Sequence, residues 1–146
     1  MFRLIIASFV ASLLWIGPAH ADSWVSAGLE GGQHVAINLE GVPTAKTGPF
    51  LATLALVPGD WPANNHAYEL VVARFDCGAH TRAIQARIAY SGRHDPRTTS
   101  VSAPVAVAAS QDPAVARQLE IVCSSDGSMS LPKYGWLDPW VQSLRP

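Results

Sequence analysis

The chain has 146 residues, with 10 Lys plus Arg against 11 Asp plus Glu and a formal net charge of −1. So even a balance argues against nucleic acid as a partner, because phosphate binding depends on clustered basic charge. The mean hydropathy of +0.16 is raised by an apolar N-terminus and by alanine, and it does not mark a membrane protein.

Arg3, the apolar run Leu4 to Ile16 and the small residues around Ala19-His20-Ala21 form the pattern of a cleaved secretory signal peptide over residues 1–21. A membrane anchor is the competing reading, but spanning takes roughly 20 apolar residues, and Gly17-Pro18 ends this run early. The expectation is an exported chain starting at Asp22, with no membrane span after cleavage. It has nine basic and eleven acidic residues, enough length for one domain, and no cysteine at the cleavage site for lipid attachment.

Trp24 to Ala27 and Gln33 to Glu40 read as strands joined by a hairpin turn at Gly31-Gly32. Val35, Ile37 and Leu39 alternate with His34, Ala36 and Asn38, the period of a half-buried strand. Residues 41–48 read as loop. Phe50 to Val57 is an unbroken apolar run between Pro49 and Pro58, read as a central strand covered on both faces, with a short buried helix as the alternative. Residues 58–65 are dense in turn formers and carry Trp61, which either packs over a sheet edge or is exposed for binding.

The stretch Tyr68 to Tyr90 is the expected centre of the fold, two strands joined at Asp76-Cys77-Gly78. In its second arm Ile84, Ala86, Ile88 and Tyr90 fall on one side, expected to face the core, with Gln85 and Arg87 in water. Residues 91–97 read as a polar turn, and residues 98–107 as a strand that Pro104 confines to an edge or displaces by a bulge. Asp112-Pro113 then supplies an N-cap and an N1 proline for a helix ending at Cys123, with Val115, Leu119 and Val122 at helical spacing and residues 124–127 (SSDG) as the stop. The last stretch, 128–146, carries Tyr134, Trp136 and Trp140. These aromatics either dock across the chain's own domain or offer anchors to a partner.

Export takes Cys77 and Cys123 into an oxidising compartment, where a lone pair becomes a disulfide. With no C-x-x-C, a metal or redox pair is the weaker reading. The fold class expected is therefore α+β: a small antiparallel β-sheet packed against a C-terminal helix and tied to it by one disulfide, over residues 22–127. The histidines His34, His66, His80 and His94 are dispersed without metal-ligand spacing, and His66, His80 and Asp76 are the one group to check for an adventitious zinc. No nucleophile motif, phosphate-binding loop or dinucleotide glycine pattern occurs. No catalytic residue, metal or cofactor is assigned, and the chain is read as non-enzymatic.

Phe75-Asp76-Cys77, the segment Arg82 to Arg87, Tyr90, Gly92, Pro113 and Val122-Cys123-Ser124 together resemble the bacterial surface-adhesin protein E family, over about Trp24 to Ser124. The resemblance implies a small exported domain that binds host extracellular-matrix and plasma proteins from the cell surface. A periplasmic accessory or inhibitor protein acting on another envelope protein is the alternative. In either case the expected partner is a protein, and the candidate partner-binding residues are Trp61, Tyr134, Trp136 and Trp140.

Overall fold

A computed structural model describes residues 23–60, 67–91, 94–124 and 133–134. The leader expected over residues 1–21, and Trp61, Trp136 and Trp140, lie outside the described residues. The described residues form eight strands and one helix: β1 (Trp24–Glu30), β2 (Gln33–Asn38), β3 (Phe50–Pro58), β4 (Tyr68–Asp76), β5 (Thr81–Ser91), β6 (His94–Ser100), β7 (Ala106–Ala108), α1 (Pro113–Cys123) and β8 (Lys133–Tyr134). All the strands join one antiparallel sheet in the order β6-β5-β4-β3-β2-β1-β8, with β7 also paired to β5. The α+β architecture expected from the sequence is the observed one, with the apolar run of β3 at the middle of the sheet.

Local chemistry accounts for most element boundaries. Gly31 and Gly32 both take positive φ, 57° and 81°, between the paired residues Glu30 and Gln33. A two-residue hairpin loop with positive φ at both positions matches the twist of its strands, and only glycine adopts it without strain. At α1, the Asp112 carboxylate accepts from the backbone N–H of Ala114 at 2.8 Å and of Val115 at 3.4 Å. Pro113 follows at the first helical position, where its missing N–H costs nothing.

The helix lays Val115, Leu119, Ile121 and Val122 on one face of the sheet, against Val25, Val35, Ile37, Leu54, Val71 and Phe75. The sheet is coiled around this core. In register, Glu30 belongs to the row of Gln33 and Pro58, whereas Arg82 belongs to the opposite row of Phe75 and Phe50, four strands away. Four interstrand steps on a flat sheet separate strands by roughly 19 Å. The two side chains nevertheless meet at 2.7 Å, which requires the strands to tilt and curl as barrel strands do.

Two bulges change which residues face the helix. In β1 the register passes from Ser26↔Ala36 to Gly28↔Val35, leaving Ala27 as the extra residue, with Gly28 at φ 88°. A bulge shifts the side-chain alternation by one. Glu30 therefore lies on the row facing the helix, and Leu29 is turned out at 59 % exposure. This is also why β1 runs three residues past the Ala27 end expected from the sequence. In β5 the register passes from Val72↔Ala86 to Ala73↔Ile84, leaving Gln85 unpaired in the ladder.

The expectation that Ile84, Ala86, Ile88 and Tyr90 share the core face is corrected by this second bulge. Arg82, Ile84 and Arg87 lie opposite the helix-facing Phe75, Ala73 and Val71, while Ala86, Ile88 and Tyr90 lie opposite Val72, Leu70 and Tyr68 on the other face. Arg87 is not simply in water, since its guanidinium donates to the Glu69 carboxylate at 2.8 Å.

The expected polar turn over 91–97 is also shorter. β5 runs to Ser91 and β6 starts at His94. The presence of Pro96 in β6 fits an outermost strand, where a missing N–H removes no bond to a second neighbour. The strand expected over 98–107 is broken around Pro104 into β6 and β7, both on the same edge of β5.

Candidate binding surface

Three features of the chain carry buried polarity or unusual surface: the Cys77–Cys123 bridge, a polar cluster beneath the helix, and the face of the sheet turned away from the helix.

The turn after β4 is organised by Asp76, whose carboxylate accepts from the backbone N–H of Ala79 at 2.9 Å. His80 closes the turn at φ 52°. Cys77 stands in this turn with its Cα 5.7 Å from that of Cys123, at the last residue of α1, and the two form a disulfide. Both expected disulfide residues are thus brought together, and the helix is locked to the hairpin tip as the sequence implies. His66, one member of the trio considered for zinc, lies outside the described residues, and no group of three metal-ligating side chains occurs among those described.

Under the helix, Arg82 is 5 % exposed and Gln118 is fully buried. The Arg82 guanidinium donates from Nη1 to Glu30 Oε2 at 2.7 Å and from Nη2 to Glu30 Oε1 at 2.8 Å, a two-pronged pair. Arg82 Nη1 also donates to Gln118 Oε1 at 2.6 Å, and Gln118 Nε2 donates to Glu30 Oε2 at 2.8 Å. The hydrogen bond from Arg82 holds the Glu30 carboxyl below the usual glutamate range, against the opposing effect of burial, with Gln118 assisting. A carboxylate, a guanidinium and an amide closed on one another in this way form a structural clasp of β1, β5 and α1. The sequence reading missed it: Gln118 sits on the apolar stripe of α1, and Gly28 inside a strand pattern is the one signal that pointed to a bulge.

The outer face is built by register. One row across it is Trp24–Asn38–Thr53–Val72–Ala86–Ser100, and the next is Ser26–Ala36–Ala55–Leu70–Ile88–Thr98. Here Trp24, Ala36, Ala55 and Val57 form a second buried cluster, flanked by Tyr68 and Leu70. The Tyr68 and Tyr90 rings stack in parallel at 4.7 Å between centroids, adding aromatic surface at the end of the face. β8 joins the sheet at the edge of the same face, with Tyr134 opposite Trp24 and Lys133 opposite Val25. Of the four candidate partner-binding residues, Tyr134 is therefore placed in the sheet beside Trp24, while Trp61, Trp136 and Trp140 lie outside the described residues. Sequence reasoning missed Trp24, Tyr68 and Tyr90 as members of one face, because their meeting depends on register across five strands.

No helix among the described residues is long and apolar enough to cross a membrane. Comparison with protein-family models, with curated proteins and with solved structures gives no match.

Proposed function

We propose that this chain is an exported, non-enzymatic protein of the bacterial envelope whose task is to bind another protein. The observation that carries the reading is the Cys77–Cys123 disulfide, which consumes both cysteines of the chain. Disulfides of this kind persist in exported proteins and are rare in the reducing cytosol. The leader pattern of residues 1–21 points the same way. The perturbed carboxylate, Glu30, is fully occupied in holding Arg82 and Gln118, so its depressed pKa has a structural cause and calls for no catalytic one.

The resemblance to the surface-adhesin protein E family gives the reading its specific form: display at the cell surface and binding of host extracellular-matrix or plasma proteins. Trp61, Tyr134, Trp136 and Trp140 are the anchors proposed for such a partner, since aromatic residues dominate the energetics of protein interfaces. The test is binding of the purified chain to immobilised matrix and plasma proteins, beside a variant carrying Trp61→Ala, Trp136→Ala and Trp140→Ala. Each dominant aromatic anchor is worth about 2 kcal/mol or more, so at least a tenfold loss of affinity is expected. Unchanged binding by the triple variant would remove these residues from the interface.

A further inference from the structure

On the helix side of the sheet, β5 and the arm that joins β6 to β7 enclose a hollow of about 260 Å³. The bulge at Gln85 and the break around Pro104 create it. Val101 donates its backbone N–H to the Gln85 carbonyl at 2.8 Å, and Val107 pairs with Arg82, while Ser102 to Val105 pair with no strand among the described residues. Within this arm Val101, Ala103, Val105 and Val107 all line the hollow, the two-residue period of extended chain. Val105 is 75 % exposed there, and Ile84 of β5 completes the apolar wall.

The two charged residues lining the hollow are both cations, Arg82 and Arg87, and neither of their carboxylate partners, Glu30 and Glu69, lines it. Both guanidiniums keep donors to spare. Arg82 commits Nη1 and Nη2 to Glu30 and Gln118, and its buried Nε has no acceptor among the described residues, a condition that buried N–H groups seldom show. Arg87, with 41 % of its side chain exposed, makes one hydrogen bond among the described residues, from Nη1 to Glu69. Its Nε and Nη2 hydrogens remain for a ligand.

We infer that this hollow binds a short aliphatic carboxylate, its chain against the valines and Ile84 and its carboxylate on the guanidiniums of Arg87 and Arg82. The wall sets the chemistry. A neutral hydrocarbon would leave the spare donors unanswered, a cation would be repelled, and an anion without an apolar chain would gain nothing from five aliphatic residues. A planar guanidinium edge fits a carboxylate. The volume lies just below the roughly 300–1,000 Å³ of sites for drug-sized ligands, so the occupant is small. Arg87, half-exposed, receives the carboxylate first. Arg82 Nε is shielded from solvent, so the carboxylate meets it as the unpaired Ser102–Val105 arm gives way to the ligand. The site shares no residue with the aromatic anchors proposed for a protein partner, and it does not depend on that reading.

The experiment titrates the purified, disulfide-bonded chain with hexanoate, hexanol and hexylammonium, and reads methyl and arginine Nε–H signals by nuclear magnetic resonance. Hexanoate should shift the Ile84, Val101, Val105 and Val107 methyls and the Nε–H signals of Arg82 and Arg87 saturably, with the Val25, Leu54 and Val57 methyls unmoved. Hexanol should bind about tenfold more weakly or worse, for want of a charge-assisted hydrogen bond, and hexylammonium not at all. Arg87→Met breaks only a half-exposed ion pair, so the variant folds, and it should weaken hexanoate about tenfold while leaving hexanol unchanged. Val105→Asp, at an exposed position, should repel hexanoate from the mouth. The core methyls report in each case that the variant is folded. The inference is overturned by the absence of saturable shifts, by equal affinity for hexanoate and hexanol, or by native hexanoate binding in Arg87→Met. An Arg82 Nε–H signal unmoved at saturation would overturn it too, since that donor belongs to the site.

Discussion

Glu30 and Arg82 are the most demanding pair in the molecule, because one charge is 5 % exposed and the other side chain 23 % exposed. Removing one member of a buried pair costs about 3–5 kcal/mol, chiefly because the other is left uncompensated. Glu30→Ala strands the better buried Arg82, whose Nε already lacks a partner among the described residues, and so should reach that range in urea denaturation. Arg82→Met should cost less, since Glu30 retains access to water. The double variant should cost less than the sum of the two, the signature of direct coupling. By contrast, Arg87→Met, which breaks the half-exposed pair with Glu69, should cost no more than about 1 kcal/mol.

The same pair sets a pH dependence. The Glu30 carboxyl is held below its ordinary value in the folded chain, so the unfolded chain binds its proton first as pH falls, and this stabilisation is present above the unfolded pKa of about 4.3. It drains away below that value, as pH falls through the lower folded pKa. Stability measured from pH 6 to pH 3 should therefore fall more steeply in the native chain than in Glu30→Ala. Equal slopes would show that Glu30 does not carry the effect. None of this was legible in the sequence, where Glu30, Arg82 and Gln118 are ordinary polar residues far apart. The bulge at Ala27 turns Glu30 toward the helix face that Arg82 already shares with its strand partner Phe75, and a bulge leaves almost no local signal beyond Gly28.

Among the elements, the helix and its staple show what local chemistry decides. Asp112-Pro113 starts α1 and Cys123 ends it, and both ends were readable because capping and proline geometry act within three or four residues. The central strand β3 was equally readable from its uninterrupted apolar run. The side-chain facing of β5 was not, since alternation predicts a face only while the register is unbroken.

The Cys77–Cys123 bridge closes 46 residues between the hairpin tip and the helix. Loop-closure arithmetic for that separation gives about 4 kcal/mol. The variant Cys77→Ser with Cys123→Ser should lose stability by that order, read as the drop in unfolding free energy against the oxidised chain. Equal unfolding of the two would mean that the core alone holds the helix in place.

At the scale of the whole molecule, a coiled sheet uses its two faces differently. One face is closed by α1, the disulfide and the Glu30–Arg82–Gln118 clasp, which fix the scaffold. The other holds Trp24, Ala36 and Ala55 and the Tyr68–Tyr90 stack, and it receives β8 at its edge. The sequence pointed to the aromatic C-terminal stretch but not to the face beside it, because a row of residues drawn from six strands exists only after the sheet has formed.

The central claim is that this chain works outside the cytoplasm as a binding protein, and protease shaving of intact cells tests it most directly. The chain would be expressed with its own N-terminus and a C-terminal epitope, beside a periplasmic marker and a cytoplasmic one. The account predicts a chain processed before Asp22, with Cys77 and Cys123 oxidised and the epitope removed while both markers survive. An epitope protected until the outer membrane is opened would contradict surface display and move the binding partner into the periplasm. Recovery of an unprocessed chain with free thiols in the cytoplasm would contradict the account as a whole.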